Sequence, residues 1–391
     1  MTLRLASKQD CTGCEACVCA CPSHSIELEE AATGFRYPRV ERGCNDCGVC
    51  VSVCPTVHRP ERVTRFPAPS VRGGFYPDPA IRRDSSSGGL FSLFADHVLA
   101  RGGAVAGAMF DDELELRHRV ITEPSGLPGL RGSKYLQSHI GPVFGELRGR
   151  LRRGQLSLFV GTPCQVAGLY AFLRKDYDHL VTLDLVCHGI ASRRVFHKSL
   201  RHHEETAADT IVSVNFRDKR AGWKDFGVAL RFASGREVVT PFRLDSFMRG
   251  FLQNLTLRPS CYGCLFNHVP RIADITLGDF WGIEDIDPRL DDDRGCSLVL
   301  LNGPKGQRLF EDTKQRLVVR EFALGDAVRK NPHIVSSAKA PRNAAQFYAD
   351  LETEPFARVI QQYLGQRTRV ARITSAVGRT VRRGLRGFMR S

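Results

Sequence analysis

Two runs of closely spaced cysteines carry the clearest chemistry in the sequence. The spacing C-x2-C-x2-C-x3-C-P occurs in CTGCEACVCACP (11–22) and again in CNDCGVCVSVCP (44–55), 33 residues later. In two-cluster ferredoxins the first three cysteines of such a run bind one [4Fe–4S] cluster, and the fourth binds the other. This rule assigns one cluster to Cys11, Cys14, Cys17 and Cys54, and the second to Cys44, Cys47, Cys50 and Cys21.

A structural zinc site is the alternative for these cysteines. Zinc is usually held by two separated C-x2-C pairs, whereas here there are two runs of four that each end in proline. The spacing therefore favours clusters, and residues 11–54 are expected to carry electrons. Cys19 lies outside the pattern and is interpreted as an ordinary core or loop thiol.

Five further cysteines lie beyond the repeat. Cys164 and Cys187 each follow a predicted strand, and Cys261 and Cys264 form a C-x2-C pair on a predicted loop. Because neighbouring parallel strands present their carboxyl ends to one crevice, these four thiols are predicted to bind a third [4Fe–4S] cluster. A zinc site and unrelated core thiols are the open alternatives. Cys296 lies within an apolar strand pattern and is expected in the core.

Strands that alternate with helices are predicted to position these thiols from Ser85 onward. Helices are predicted at Gly89–Arg101, Val143–Arg153 and Pro163–Arg174, and strands at Ala104–Phe110, Leu156–Val160, Leu180–Val186, Ala273–Leu277 and Cys296–Leu301. Antiparallel strands are predicted at Ile211–Asn215, Gly227–Phe232 and Glu237–Thr240. The expected fold is a small dicluster ferredoxin-like domain (1–58), a Pro-rich linker (59–84) and a mixed α/β domain.

Composition and charge narrow the function classes. The N-terminal segment MTLRLASKQD is too short and polar for a secretory signal, and no apolar run approaches the length of a membrane span, so a cytoplasmic protein is expected. The net charge is +14, but eight arginines and no acid fall within 366–391. Because the excess sits in a tail and not on a folded face, nucleic-acid binding is not expected.

The basic tail has one apolar stripe, formed by Val370, Ile373, Val377, Val381, Leu385 and Phe388. Such a helix suits peripheral contact with an anionic membrane. A helix docked on the protein itself and a disordered tail are the alternatives, and three glycines weaken a free helix.

Over residues 85–335 the sequence resembles the coenzyme F-420 hydrogenase/dehydrogenase beta-subunit family. The resemblance rests on ordered motifs: SSSGGLFSLFADHVL, GSKYLQS, GTPCQVAGL, DLVCHG, NFRDK with GW, LRPSCYGC and ADITLGDFWG. It implies a beta-subunit N-terminal-like region at 85–162 and a C-terminal-like region at 163–340 that holds the third cluster. It also implies FAD beside that cluster and an oxidoreductase that reduces an organic substrate, such as deazaflavin F-420 or a polysaccharide-pathway intermediate.

The motifs also supply candidate FAD contacts. These are Ser85, Ser86, Ser87, Gly88, Gly89, Lys134, Tyr135, Gln137, Ser138, Asp279, Phe280 and Trp281. Serines and glycines before a helix form an anion site suited to a pyrophosphate, although the serines could simply cap the helix. Phe280 and Trp281 could equally be core aromatics. A Rossmann-type NAD site is not supported, because no GxGxxG follows a strand.

His188 follows Cys187 and is the candidate proton donor, with a structural histidine as the alternative. Arg217, Asp218 and Lys219 are interpreted either as an anion-binding group or as a solvated turn. The predicted function is electron transfer from a ferredoxin-like donor through the clusters to FAD and a small-molecule substrate. An electron-transfer subunit without its own substrate site is the alternative, and a homo-oligomer is compatible with either.

Overall fold

A computed structural model describes residues 5–61 and 64–365. The predicted tail helix (366–391) lies outside the described residues. The strands are β1 (Ile26–Glu30), β2 (Arg36–Val40), β3 (Ser70–Phe75), β4 (Ala104–Phe110), β5 (Leu116–Ile121), β6 (Ser157–Val160), β7 (Leu180–Leu185), β8 (Ile211–Asp218), β9 (Gly227–Phe232), β10 (Glu237–Pro241), β11 (Ile275–Asp279), β12 (Ser297–Leu301) and β13 (Val318–Phe322).

The α-helices range from one turn to four turns. They are α1 (Ala16–Ala20), α2 (Val49–Ser52), α3 (Pro79–Arg83), α4 (Leu90–Leu99), α5 (Leu127–Leu130), α6 (Val143–Arg152), α7 (Pro163–Leu173), α8 (Arg193–Ala207), α9 (Ser246–Leu252), α10 (Pro304–Thr313), α11 (Leu324–Lys330), α12 (Ala344–Thr353) and α13 (Phe356–Leu364). Within the described residues, none of these helices is long and apolar enough to cross a membrane.

The cysteine repeat folds as two copies of one local backbone conformation. Gly13 and Glu15 in the first run have φ angles of 67° and 63°, and Asp46 and Gly48 at the equivalent positions of the second have 53° and 72°. Left-handed residues bend the chain sharply, so that successive cysteines face the same side of the turn. The short helices α1 and α2 follow, and the hairpin β1–β2 joins the two halves.

An eight-stranded mixed sheet forms the body of the molecule, in the order β13-β3-β12-β11-β7-β6-β4-β5. The four strands β11, β7, β6 and β4 are mutually parallel, and antiparallel strands complete both edges. The mixed α/β class predicted from the sequence is therefore confirmed. Helices α4 and α10 cover one face, with Phe94 and Phe310 fully buried, and α6 and α7 cover the other.

The ferredoxin module packs on the face that carries α6 and α7. Cys14, Ala16 and Val53 are buried in the same apolar cluster as Phe144 and Val166. A second, three-stranded sheet (β10-β9-β8) packs with α8, α9, α12 and α13 around a core rich in phenylalanine. The module is thus held against the main sheet by an apolar interface.

The segment 59–84, predicted as a Pro-rich linker, contributes a strand to the main sheet. β3 pairs with β12 on one side and with β13 on the other. Gly73 and Gly74 have low strand propensity, so the sequence pattern does not indicate a strand here. Close packing nevertheless requires glycine at both positions. A Cβ atom on Gly74 would lie 2.8 Å from the Cα of Val319 and would overlap the carbonyl oxygen of Val318.

Gly74→Ala is expected to lower the free energy of unfolding by roughly 2 kcal/mol, because the added methyl group meets rigid backbone and no side chain can move away. Gly145→Ala is the matched control. Gly145 lies inside α6 with nothing within 4 Å of a Cβ atom, so alanine should be neutral or stabilising there. Chemical denaturation of both variants measures the difference. Equal stability would contradict the pairing of β3 with β13.

Candidate redox site

The eight repeat cysteines lie in two groups that each draw members from both runs. Cys11, Cys14, Cys17 and Cys54 line one small cavity. In the other group the charges of Cys21 and Cys44 act on Cys50, and Cys47 is exposed to solvent nearby in the same loop. The fourth cysteine of each run thus lies with the first three of the other run.

Four cysteines from distant parts of the chain line a third cavity. These are Cys164, Cys187, Cys261 and Cys264. Cys164 is in the first turn of α7, which Thr162 and Gln165 fix with a capping box, and Cys187 follows β7. The carboxyl ends of the parallel strands therefore bring two of the thiols together, as the sequence predicts. Cys296 is buried in the core beside β12, 1% exposed.

Burial keeps these thiols neutral unless positive charge compensates them. Burial raises the pKa of Cys164 to about 11 and that of Cys261 to about 12, and it raises the pKa of Cys187 well above its ordinary value. Negative charges on neighbouring thiols add to the effect. An all-sulfur donor set of this kind suits bound iron, because a metal ion deprotonates the thiols that coordinate it. In the part of the chain that the structure describes, no three His, Cys, Asp or Glu side chains converge as ligands of a single metal ion.

The three thiol groups and a larger cavity follow one another through the molecule. Thr12 lines both the Cys11 cavity and the Cys164 cavity. Cys14 lies against α7, where a Cβ atom on Gly168 would be 3.0 Å from its Sγ, and the charge of Cys164 acts on Cys14. Cys187 lines both the Cys164 cavity and the larger cavity. Shared wall residues therefore link the Cys11 cavity to the Cys164 cavity, and the Cys164 cavity to the larger one.

The larger cavity, of about 290 Å³, opens at the carboxyl ends of the parallel strands. We call it the inner chamber. Its wall includes Gly107, Gly161, Gly189 and Gly278, and a Cβ atom on any of the last three would lie 2.8–3.0 Å from a neighbouring side chain. Doubly wound sheets bind ligands at this edge, so the fold itself provides the chamber.

The Ser-Ser-Ser-Gly-Gly loop lines the inner chamber and leads into α4. Its hydroxyl groups bind protein and do not cap the helix. Ser85 donates to the carbonyl of Ile81 (2.7 Å), Ser87 donates to that of Cys296 (2.9 Å), and Ser86 accepts from the N–H of Ser133 (2.7 Å). The hydroxyl groups thus hold the loop in shape, and the first turn of α4, with Leu90 and Phe91, faces the chamber.

Lys134 also lines the inner chamber. Its Nζ donates to the carbonyl groups of Leu130, Arg131 and Gly132, at 3.2, 2.6 and 3.1 Å. Burial lowers the pKa of Lys134 to about 7. A bound anion would favour the charged ammonium, so this lysine is suited to a phosphate ligand.

Arg217 joins four of the sequence motifs at the border of the inner chamber. It donates to both carboxylate oxygens of Asp279 (3.0 and 3.1 Å), to the carbonyl of Ser86 (3.0 Å) and to the hydroxyl of Tyr135 (3.3 Å). Asp279 also accepts from Trp223 Nε1 (2.8 Å). Arg217 is buried and ion-paired, so the interpretation as a solvated turn does not apply to it.

A second cavity of about 1230 Å³ adjoins the inner chamber, and we call it the outer chamber. Both chambers share residues of their walls: Tyr135, Val186, His188, Phe251 and Asp279. The outer chamber adds the aromatic rings of Phe226, Phe242 and Trp281 and charged groups that include Lys224, Arg243 and Lys330. A planar, charged organic molecule would find both stacking surfaces and ion-pair partners there.

His188 lies between the two chambers. Its Nδ1 is 2.8 Å from Nε2 of His333, and its ring is 4.8 Å from that of Phe251. Burial, with a contribution from His333, lowers the pKa of His188 to about 4. The imidazole is therefore neutral at pH 7.

Four of the predicted FAD contacts do not line the inner chamber: Gly88, Gln137, Phe280 and Trp281. Gln137 donates to the carbonyls of Thr12 (2.8 Å) and Gly13 (2.7 Å), and so fastens the ferredoxin loop. Phe280 is fully buried in the core, and Trp281 lines the outer chamber, stacked on Trp223. Gly88 is buried beneath the loop, where its N–H donates to Ser297 Oγ (2.9 Å), and the remaining candidates line the inner chamber.

Sequence reasoning missed several residues of the two chambers. His118 and Gln165 hold Ser138 from two sides (2.7 and 3.1 Å), and His333 pairs with His188. No spacing pattern marks these residues, because each comes from a different element. The Gly222-Trp223 dipeptide among the family motifs was the only sequence signal for Trp223, whose indole N–H donates to Asp279.

Comparison with known families gives separate matches for the cysteine repeat and for the mixed α/β domain. Residues 10–57 match the model of the 4Fe-4S dicluster domain, so the chain is an iron–sulfur protein of the electron-transfer class. Residues 155–324 match the model of the carboxyl-terminal part of the coenzyme F420 hydrogenase/dehydrogenase beta subunit. Over these residues the chain is similar to that oxidoreductase family, and the resemblance seen in the sequence is confirmed there.

Among solved structures, a chain of the F420-reducing [NiFe] hydrogenase complex from Methanosarcina barkeri is similar. The identity is 14% and the TM-score 0.46, over 78% of this chain and 94% of that chain. No curated protein matches the sequence.

His118 is expected to make stability depend on pH. Burial lowers its pKa to about 4, with a further contribution from Lys134, whereas the unfolded value is about 6.5. Between these values the unfolded chain binds more protons, so the free energy of unfolding rises with pH. His118→Gln should remove roughly 2 kcal/mol of the rise between pH 5 and pH 6.5, from 1.36 kcal/mol per unit. Denaturation at both pH values measures it.

The matched control is His24→Gln, because His24 is exposed. This variant should keep the parent slope of stability against pH. A parent slope in His118→Gln as well would show that His118 is not buried in its neutral form.

Proposed function

We propose that the protein is an iron–sulfur flavoprotein oxidoreductase with three [4Fe–4S] clusters and one FAD. Electrons from a ferredoxin-like donor enter at the exposed end of the dicluster module and leave on an organic substrate in the outer chamber. The observation that carries the proposal is the position of Cys187. This residue belongs to the wall of the third thiol cavity and also to the wall of the inner chamber.

Twelve cysteines would hold the three clusters. Cys11, Cys14, Cys17 and Cys54 would hold the first, and Cys21, Cys44, Cys47 and Cys50 the second. Cys164, Cys187, Cys261 and Cys264 would hold the third. Buried thiolates from well-separated elements exclude water and fix the separation between neighbouring sites, which supports transfer from one cluster to the next and not chemistry at the clusters.

The inner chamber fits FAD by the chemistry of its lining. When bound, FAD would supply the exchange between single electrons and a two-electron reduction. The first turn of the ten-residue helix α4 and Lys134 would hold the pyrophosphate. The Nε atom of Arg217 is buried and has no hydrogen-bond partner among the described residues, so this residue retains a donor at the border of the chamber. Tyr135, Ser138 and Asp279 would orient the ring system.

The outer chamber supports an enzyme with its own substrate site. The chamber opens beside His188, so a substrate there would contact both this imidazole and the border of the inner chamber. His188 would act by orienting the substrate through a hydrogen bond, because its imidazole is neutral. Deazaflavin F-420 and a polysaccharide-pathway intermediate are the substrate classes to test in this chamber, which is lined by aromatic rings and by charged groups of both signs.

Iron, acid-labile sulfide and flavin per chain test the proposal directly. Protein purified without oxygen is expected to contain about 12 Fe and one FAD, from four Fe per cluster. Cys187→Ser should lower the iron to about 8 per chain, because three remaining ligands hold a buried cluster poorly. Cys19→Ser is the matched control and should keep about 12, since this thiol donates only to the carbonyl of Gly141 (3.4 Å).

A content of about 8 Fe without flavin in the parent protein would contradict the proposal. The protein would then be an electron-transfer subunit that serves a partner enzyme. Bound zinc in place of iron would exclude a redox role for the third thiol group.

A further inference from the structure

One fully buried cation lies between the first and the third thiol groups. Arg258 is 1% exposed and precedes the Cys-Tyr-Gly-Cys loop. Its Nε donates to the carbonyl of Cys11 (2.7 Å), and its Nη2 is 3.7 Å from the sulfur of the same residue. Nη1 donates to Gln137 (3.0 Å) and Nη2 to the carbonyl of Arg36 (2.9 Å). The guanidinium therefore touches the first thiol group directly.

Arg258 also acts on the third thiol group. It starts the turn that carries Cys261, whose N–H donates to the carbonyl of Arg258 (2.9 Å). The positive charge of Arg258 also acts on the sulfur atoms of Cys164 and Cys261. One side chain is therefore close enough to favour negative charge on two groups of sulfur ligands.

No carboxylate pairs with Arg258. Within residues 5–61 and 64–365, no Asp or Glu oxygen lies within 4 Å of its guanidinium, and its remaining neighbours are carbonyl groups and the rings of Tyr37 (4.4 Å) and Phe35 (5.6 Å). A buried charge without a counter-charge is strongly unfavourable. The sulfur ligands beside it are the groups that can supply the missing negative charge.

We propose that Arg258 is the counter-ion of the cluster bound by Cys11, Cys14, Cys17 and Cys54, and that it raises the reduction potential of this cluster. Added electron density on the cluster is stabilised by a nearby positive charge and by an N–H···S contact, and both effects raise the potential. The inference rests on the proposed function only in requiring that this cluster is bound.

The second dicluster group is partly exposed to solvent and lies beside an acidic side chain. Cys47 is exposed, and Cys44 lies 3.9 Å from the carboxylate of Asp46. A solvent-exposed site beside an acid lacks the counter-charge that Arg258 gives the first group. The Cys11 cluster is therefore expected to have the higher potential of the two, so that an electron entering near Cys47 moves inward.

Arg258→Gln and Arg258→Lys test the role of the charge, with reduction followed by electron paramagnetic resonance during a redox titration of the whole protein. Arg258→Gln should lower the potential of one dicluster signal by at least about 59 mV. For one electron this corresponds to a tenfold change in the ratio of reduced to oxidised cluster. Arg258→Lys keeps the charge and should stay closer to the parent value. Arg39→Gln is the matched control, an exposed arginine on β2 whose loss should leave both potentials unchanged.

An unchanged potential in Arg258→Gln would overturn the inference. If that variant fails to retain the cluster, Arg258→Lys decides. Retention of the cluster near the parent potential supports a counter-ion, whereas loss of the cluster in both variants shows that Arg258 only fixes the loop. The iron content of the parent protein is measured separately, so a failure of the proposed function and a failure of this inference give different results.

Discussion

Groups of four thiolates in a protein interior require positive charge among them, and this constraint accounts for much of the architecture. Burial raises the pKa of Cys14 and Cys17 in the first group and of the cysteines in the third group, so cations such as Arg258, and iron when bound, would stabilise their thiolates. Because some of its cysteines are buried, the ferredoxin module packs against the rest of the protein. Its helix α1 packs on α7, and Gln137 and Glu15 fasten its loop to the main sheet.

Glu15 both shapes the first cysteine loop and binds this loop to the main domain. Its buried carboxylate accepts from the N–H of Ile140 (2.9 Å) and lies 2.8 Å from Nδ1 of His139. A left-handed backbone at the same residue bends the cysteine loop. One residue thus shapes the cluster loop and anchors it, so the distance between the first and third thiol groups is determined by the fold and not by a flexible linker.

The sheet determines where the rest of the site lies. Parallel strands β4, β6, β7 and β11 end at one edge, and that edge carries Cys187, the inner chamber and Asp279. The antiparallel strands beside them also reach this edge, where His118 of β5 and Ser297 of β12 line the inner chamber. Arg217 comes from the second, three-stranded sheet and reaches Asp279, so the two sheets meet at the border between the chambers.

Local patterns in the sequence were enough to predict the strands and helices of the main sheet where these alternate regularly. Strand β4 has the predicted limits, and α4, α6, α7, β6 and β7 differ from the predicted limits by one or two residues. The pattern failed for β3, because two glycines and several prolines mask a strand whose partners lie more than 200 residues away. Helix α8 was also missed, since its mostly polar sequence shows only a narrow apolar stripe.

The sequence by itself determined which residues can bind iron, because thiol spacing within 12 residues constrains cluster ligands without reference to the rest of the fold. It also indicated that Cys164 and Cys187 would meet, since strand ends in a parallel sheet share an edge. Only the tertiary structure decided that Gln137 serves the ferredoxin junction, that Phe280 lies in the core, and that Arg258 stands between two thiol groups. Those roles depend on contacts between residues far apart in the chain, and no local pattern encodes which distant groups will become neighbours.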